Sequence, residues 1–181
     1  GSSYVGMTNL VSNAGVVATD VTAVGTGRSG VGACEYGGDK GIFGFGYATT
    51  TDVSTTNLVS NTGVVGTDVT GVGTIRNALG ACGYGGDKGI MGYGDASGSQ
   101  TAVTNLVSNA GVVATDVTGV GTARAQTAAC EYGGDKGIFG FGRDASTYTG
   151  VTNLVSNAGV VASDVTAVGT ARSQIAACSF N

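Results

Sequence analysis

"TNLVSN" at Thr8–Asn13 returns at Thr56, Thr104 and Thr152, and "GGDKGI" at Gly37–Ile42 returns at Gly85 and Gly133. Both motifs recur at intervals of 48 residues without an insertion, so the chain holds four copies of one unit. The units run approximately over 8–55, 56–103, 104–151, and 152–181 together with 1–7. They form a single repeat domain covering 1–181. Each unit reads as four strands, of the types "ARAQTAACEY" (a), "KGIFGFG" (b), "TGVTNLVSN" (c) and "GVVATDVTAV" (d). Turn signals bound them: "GGD" between a and b, "SNAG" or "SNTG" between c and d, and "GT" between d and the next a.

Segment d carries alanines that would suit a helix, yet Val16, Val17, Thr19, Val21, Thr22 and Val24 are β-branched and Gly15 and Gly25 bracket them. A strand is expected. Segment b alternates, and this pattern places Phe43 and Phe45 on one face with Ile42, Gly44 and Gly46 on the other; Met91 and Tyr93, then Phe139 and Phe141, repeat it. One bulky and one nearly bare face suit small sheets stacked face to face, where glycines on one sheet admit the rings of the next.

Composition supports an all-β chain, with 35 glycines among 181 residues, no Pro and no Trp. A net charge of -4 argues against nucleic acid as a partner. No apolar run approaches the ~20 residues that span a bilayer, and "GSSYVGMTNL" lacks the basic and apolar regions of a signal peptide. A soluble chain without membrane insertion is expected.

Four short antiparallel strands in a unit of this length are the signature of a propeller blade, so the expected fold is an all-β propeller of four four-stranded blades. The pattern "AR....AAC.YGGDKGIFGFG" followed by "TNLVSN" resembles the kelch type of propeller repeat, in which an Arg opens the inner strand and a Gly-rich b strand follows. It also resembles the kelch-like repeats of predicted virion and tail-fibre proteins of tailed bacteriophages. The resemblance covers nearly the whole chain. It departs from the kelch pattern in lacking a Trp on strand d and in placing Gly37 and Gly38 in the a-to-b turn. It implies a virion or extracellular location, with other copies of the chain or other appendage proteins as partners.

Segments a, c and d each occur four times, but b occurs three times. In a closed ring the C-terminal a strand, ending near Cys178, joins the N-terminal c and d strands in a last blade with a vacant b slot. Unpaired backbone groups would face each other there, which asks for an occupant. A b strand upstream of Gly1 is the favoured filler, then a strand donated by a neighbouring subunit, then local repacking to three strands. Two chains giving eight blades is a further arrangement.

The candidate chemical sites are mostly structural. "YGGDKGIFGFGY" has neither the order of a dinucleotide fingerprint nor a Gly-Lys followed by Ser or Thr, so its glycines turn and stack. Asp39, Asp87 and Asp135 are expected to brace their turns, with a cation on that rim as the alternative. Cys34, Cys82, Cys130 and Cys178 are spaced by the repeat itself and contain no C-x-x-C pair, which favours buried free thiols over a disulfide or metal site. Arg28, Arg76, Arg124 and Arg172 each follow an Asp by eight residues (Asp20, Asp68, Asp116 and Asp164), and ion pairs or carbonyl caps between blades are expected. There is no His, Glu occurs only as Glu35 and Glu131, and no nucleophile has an evident base beside it. The reading is non-enzymatic, with no cofactor and no metal.

Two windows vary between units: the b-to-c loop ("YATTTDVST", "DASGSQTAV", "RDASTYTGV") and the residues after the Arg ("SGVG", "NALG", "AQTA", "SQIA"). In an up-and-down blade both lie at one end, opposite the constant turns "GGDK" and "SNAG". Such a layout suits a binding platform, and equally suits neutral drift in surface loops. Contact candidates are Tyr47, Asp52, Asp95, Gln100, Arg143, Asp144 and Tyr148, with Asn77, Gln126 and Gln174 nearer the channel. The first expectation is therefore a structural or adhesive propeller whose varied face contacts glycan or protein. The alternatives are a filament subunit completed by strand donation, and an ion-binding or enzymatic propeller.

Overall fold

The computed structural model describes residues 4–179, and they form an all-β chain without a helix. Residues 1–3 and 180–181, which fall in the last of the four expected units, lie outside the described residues. Three antiparallel sheets follow one another along the chain, none closed into a barrel. The first is β1 (Gly32–Tyr36), β2 (Lys40–Gly44) and β5 (Thr56–Val59); between β2 and β5 lies a short hairpin of β3 (Tyr47–Ala48) and β4 (Thr51–Asp52). The second is β6 (Gly80–Tyr84), β7 (Lys88–Gly92) and β10 (Thr104–Val107), carrying the hairpin β8 (Asp95–Ala96) and β9 (Ser99–Gln100). In the third, β11 (Ala128–Tyr132), β12 (Lys136–Arg143) and β13 (Tyr148–Val155), the hairpin is continuous with the sheet.

Segments a, b and c thus form regular ladders in a repeated register, with Cys34 opposite Ile42 and Cys82 opposite Ile90. Strand a is shorter than the sequence suggests. It begins after a residue in left-handed conformation, Gly30, Ala78 or Gln126, with φ of 62, 53 and 57°. That turn aims backbone bonds at the next sheet instead of along the strand, from Ala78 N–H to the Gly30 carbonyl (2.8 Å) and from Gln126 N–H to the Ala78 carbonyl (2.7 Å).

Segment d is not a regular fourth strand. It meets c at two isolated bridges, Thr56↔Val69 and Val59↔Val65, and the same pair recurs in each unit. One extra residue lies between the bridges on the d side, which breaks the ladder as a bulge does. The Asn of "TNLVSN" occupies the gap: the Nδ2 groups of Asn57, Asn105 and Asn153 donate to the carbonyls of Gly66 (3.1 Å), Ala114 (3.0 Å) and Ala162 (3.0 Å). A carbonyl left out of the ladder by the bulge is thereby satisfied.

The sheets stack in chain order, first on second and second on third. Tyr36, Ile42, Phe45, Leu79, Met91 and Val107 fill the first junction, and Cys82, Tyr84, Ile90, Tyr93, Phe139 and Val155 fill the second. Met91 lies against Gly44, and the Phe139 ring against Gly92, where a Cβ would meet the ring at 3.0 Å. The bare glycines do receive the next sheet's bulk. The two bulky residues of segment b nevertheless point in opposite directions. Phe45, Tyr93 and Phe141 have φ of 61, 63 and 59°, which inverts the alternation at that residue. Phe45 and Tyr93 therefore face the following sheet, whereas Met91 and Phe139 face the preceding one. The left-handed backbone costs about 1–2 kcal/mol per residue, and burying each ring returns about 2–3 kcal/mol.

Candidate functional site

The arginines hold this conformation in place. Arg76 Nε donates to the Tyr93 carbonyl (2.8 Å) and Arg124 Nε to the Phe141 carbonyl (2.9 Å), the carbonyls of the left-handed residues themselves. Each guanidinium also lies over the ring of the preceding sheet, Arg76 on Phe45, Arg124 on Tyr93 and Arg172 on Phe141, at 4.0 Å. Arg76 Nη2 donates to Asn105 Oδ1 (2.7 Å), Asn105 Nδ2 to Asp116 Oδ1 (2.9 Å), and Thr74 donates both N–H and Oγ1–H to the Asp116 carboxylate.

This chain of bonds corrects the expected Arg–Asp pairing. The Asp eight residues before each Arg packs on the preceding sheet, and the partner is the one 40 residues after it, brought back by the sheet. Arg28 and Asp68 approach to 3.8 Å and are bridged by Asn57 as Arg76 and Asp116 are by Asn105; in the third sheet Asn153 bonds Asp164 (2.9 Å) but makes no hydrogen bond to Arg124. The arrangement lies within a sheet, not between sheets. Burial opposes ionisation of Asp116, but the hydrogen bonds from Thr74 and Asn105 and the Arg76 charge outweigh it and hold the carboxyl below its ordinary range. Asp68 and Asp164 are lowered for the same reasons. Asp20, in the first c–d hairpin, accepts from Asn9 (2.8 Å), and Arg172 donates to the Thr170 carbonyl (3.0 Å).

The cysteines stack in line, and none is joined in a disulfide. Cys82 is buried between two sheets, and burial pushes its thiol up strongly; burial and Glu35 push Cys34 up to about 12. Cys178 departs from the expectation of a buried thiol: it is exposed, because among the described residues no sheet lies beyond the segment that carries it. Sequence reasoning missed Glu35 and Glu131. The Glu131 side chain lies over Gly83 of the middle sheet, and burial together with the nearby Glu35 charge raises its carboxyl. The signal was the order Glu, Gly, Glu at equivalent positions, with the glycine leaving room for the carboxyls.

The constant turns share one end. Asn61 Nδ2 donates to Asp39 Oδ2 (3.0 Å), Asn109 to Asp87 (3.0 Å) and Asn157 to Asp135 (3.1 Å), tying "SNAG"-type turns to "GGDK" turns. Each of these Asp residues also pairs with the Lys that follows it, at 2.7 to 2.8 Å. Among the described residues no group of three or more Cys, Asp or Glu is arranged to hold a metal ion.

The varied residues form a lattice at the other end. Tyr47, Asp95 and Arg143 are equivalents one unit apart, and so are Asp52, Gln100 and Tyr148. The hairpins pair them directly: Tyr47 with Asp52, Asp95 with Gln100, Arg143 with Tyr148. A third column joins through bridges, Ser29 to Tyr47, Asn77 to Asp95 and Ala125 to Arg143. The result is three rows of three side chains, one row per sheet.

Exposure across the lattice is uneven. Asp52 is 3% exposed, and its carboxylate accepts from Asn77 Nδ2 and the Ser97 N–H, both at 2.7 Å. It joins two rows, which corrects its reading as a contact residue and makes Asn77 its partner. Asp95 caps Gly98 and accepts from Gln100 (3.2 Å), and Tyr47 packs edge-on against Tyr4. Gln126 and Gln174 carry the left-handed turn before segment a, and the Gln174 N–H bonds the Gln126 carbonyl (3.3 Å). Arg143 is exposed and Tyr148 is 55% exposed, since no fourth row covers them. Asp144 binds the N–H groups of Ser146 and Thr147 at 2.8 Å, and these bonds hold its carboxyl below the ordinary range. No protein-family model and no curated protein matches the chain.

Proposed function

We propose that this chain is a non-enzymatic structural and adhesive repeat protein that contacts a glycan or protein surface through its varied end. The observation that carries the reading is the lattice: side chains differ row by row where the two variable windows meet, on a stack whose junctions and opposite end are uniform. Loops on a rigid scaffold change without disturbing the core. In the third row Arg143 and Tyr148 are exposed, and with the adjacent Asp144 they combine an amphipathic ring with groups that donate and accept hydrogen bonds.

The same reading makes the stack a four-bladed propeller of a virion or other extracellular appendage. The appendage setting rests on the resemblance of the repeats. Ring closure is supported by complementary ends: Thr170 and Arg172 match the residues that bind Asn and Asp within each sheet, and Asn9 and Asp20 match the residues that receive them. A glycan and surface-protein array tests the function. The intact chain is expected to select one ligand class, and Arg143→Ala with Tyr148→Ala to weaken it at least tenfold while Lys40→Ala leaves it unchanged. Absence of binding, or binding indifferent to the lattice, removes the adhesive reading.

A further inference from the structure

Each internal junction uses the same pair of contacts. The first bulky residue of segment b enters the glycine of the preceding sheet, Met91 on Gly44 and Phe139 on Gly92. The arginine of the later sheet covers the second, left-handed aromatic of the earlier one, Arg76 on Phe45 and Arg124 on Tyr93. On the outer side of the first sheet both halves of this junction lack their complement. Phe43, the equivalent of Met91 and Phe139, is only half-buried. Arg28, whose side chain is 5% exposed, has no ring beneath its guanidinium among the described residues, unlike Arg76, Arg124 and Arg172.

Phe43 and Arg28 line a cleft of about 190 Å3 with Val5, Met7, Val24 and Val65. One wall includes Thr8, the first residue of "TNLVSN" in the N-terminal hairpin. In the first sheet the equivalent c segment pairs with b in the register Thr56 to Gly44, Leu58 to Ile42 and Val59 to Gly41. Thr8, Leu10 and Val11 occupy the same positions along their hairpin, and Leu10 and Val11 are exposed.

We infer that this cleft is an acceptor groove for one extended glycine–aromatic strand of the b type. The strand adds to the edge at Thr8–Val11, sets a glycine over Phe43 and lays the following aromatic ring beneath Arg28. The argument is continuity with the two junctions already built, where the same residues make the same contacts. Backbone pairing at an open edge supplies affinity, and the glycine and aromatic positions supply selectivity. The groove has this form whether the stack closes into a ring or stays open, so the inference does not rest on the adhesive reading.

A labelled peptide with the sequence of residues 39–47, DKGIFGFGY, added to the full chain tests it by fluorescence anisotropy and amide hydrogen exchange. Saturable binding is expected, with new protection at Thr8–Val11. Peptides carrying Phe45→Ala or Gly44→Val should each bind at least tenfold more weakly, since one loses the ring under Arg28 and the other places a side chain against Phe43. Both substitutions are in the peptide, so folding of the protein is not at issue. Absence of binding, equal binding of the three peptides, or protection confined to the exposed d segments overturns the inference. Each of these outcomes leaves the array result for the varied end standing on its own.

Discussion

The middle sheet and the two terminal segments carry the same side chains in opposite surroundings. Arg76 and Arg124 are wholly buried, each covered by a neighbouring sheet, while Arg172 makes the same stacking contact at the same 4.0 Å and remains exposed. Cys82 is buried and Cys178 is open. The residue type does not decide burial in this chain; a place in one of the three-stranded sheets does. Solenoid-like stacks behave in this way, since each unit gains its stability largely from its neighbours.

Removing the arginine should expose the contrast most strongly. Arg76→Ala leaves the Asn105 oxygen and the Tyr93 carbonyl without their donor and strips the cover from Phe45, for a loss of about 3–5 kcal/mol in denaturant unfolding. Arg172→Ala should cost under ~1 kcal/mol. Comparable losses would mean that the C-terminal segment is as firmly packed as the middle sheet. The thiols provide a chemical version of the comparison. Labelling followed by mass spectrometry should modify Cys178 first and Cys82 last, with Cys34, its thiol pushed up to about 12, closer to Cys82. Rates within a fewfold of one another would show the junctions opening freely.

Space sharpens the comparison further. Gly92→Val drives a side chain against Phe139 and Thr104 and should destabilise by about 1–3 kcal/mol. Gly140→Val meets only Thr152, at 3.3 Å, and should cost clearly less than Gly92→Val.

Proton linkage gives the smallest effects, and they have opposite signs. Asp68, Asp116 and Asp164 hold their protons less tightly in the folded chain than in the unfolded one, so their contribution is present above the ordinary Asp range and is lost as pH falls through the folded values. Glu131 is raised, so its protonated form favours folding and that benefit fades as pH rises through the folded value. Glu131→Gln should therefore stabilise the chain at neutral pH, by less than ~1 kcal/mol after solvent screening, and change nothing near pH 3. A Gln variant that is less stable at pH 7 would refute the carboxyl pair.

The repeat, the a–b–c ladders and the glycine cradles were legible because each follows from a local period: 48 residues for the unit and two for the strand. The d segment misled because its β-branched residues match a strand while a one-residue bulge and an inserted Asn interrupt the pairing. Phe43 and Phe45 were assigned to one face because strict alternation assumes ordinary φ, and nothing local to "IFGFG" announces a left-handed Phe45. The Arg–Asp partnership was read along the chain, where eight residues separate the two; folding returns a different Asp from 40 residues away. At the varied end the location was legible from the loops, but the burial of Asp52 was not. It follows from Asn77 and Ser97 of the next unit, which only stacking brings near.

The carboxyls meeting over Gly83 give the stack a parity. Positions 35, 83, 131 and 179 read Glu, Gly, Glu, Ser, large and small in turn, so in this column the true repeat is two units, not one. Excising a single unit would set two acidic side chains on adjacent layers with no small residue between them, whereas excising a pair would preserve the alternation. Lengthening or shortening of this molecule by whole units is thus favoured in even steps.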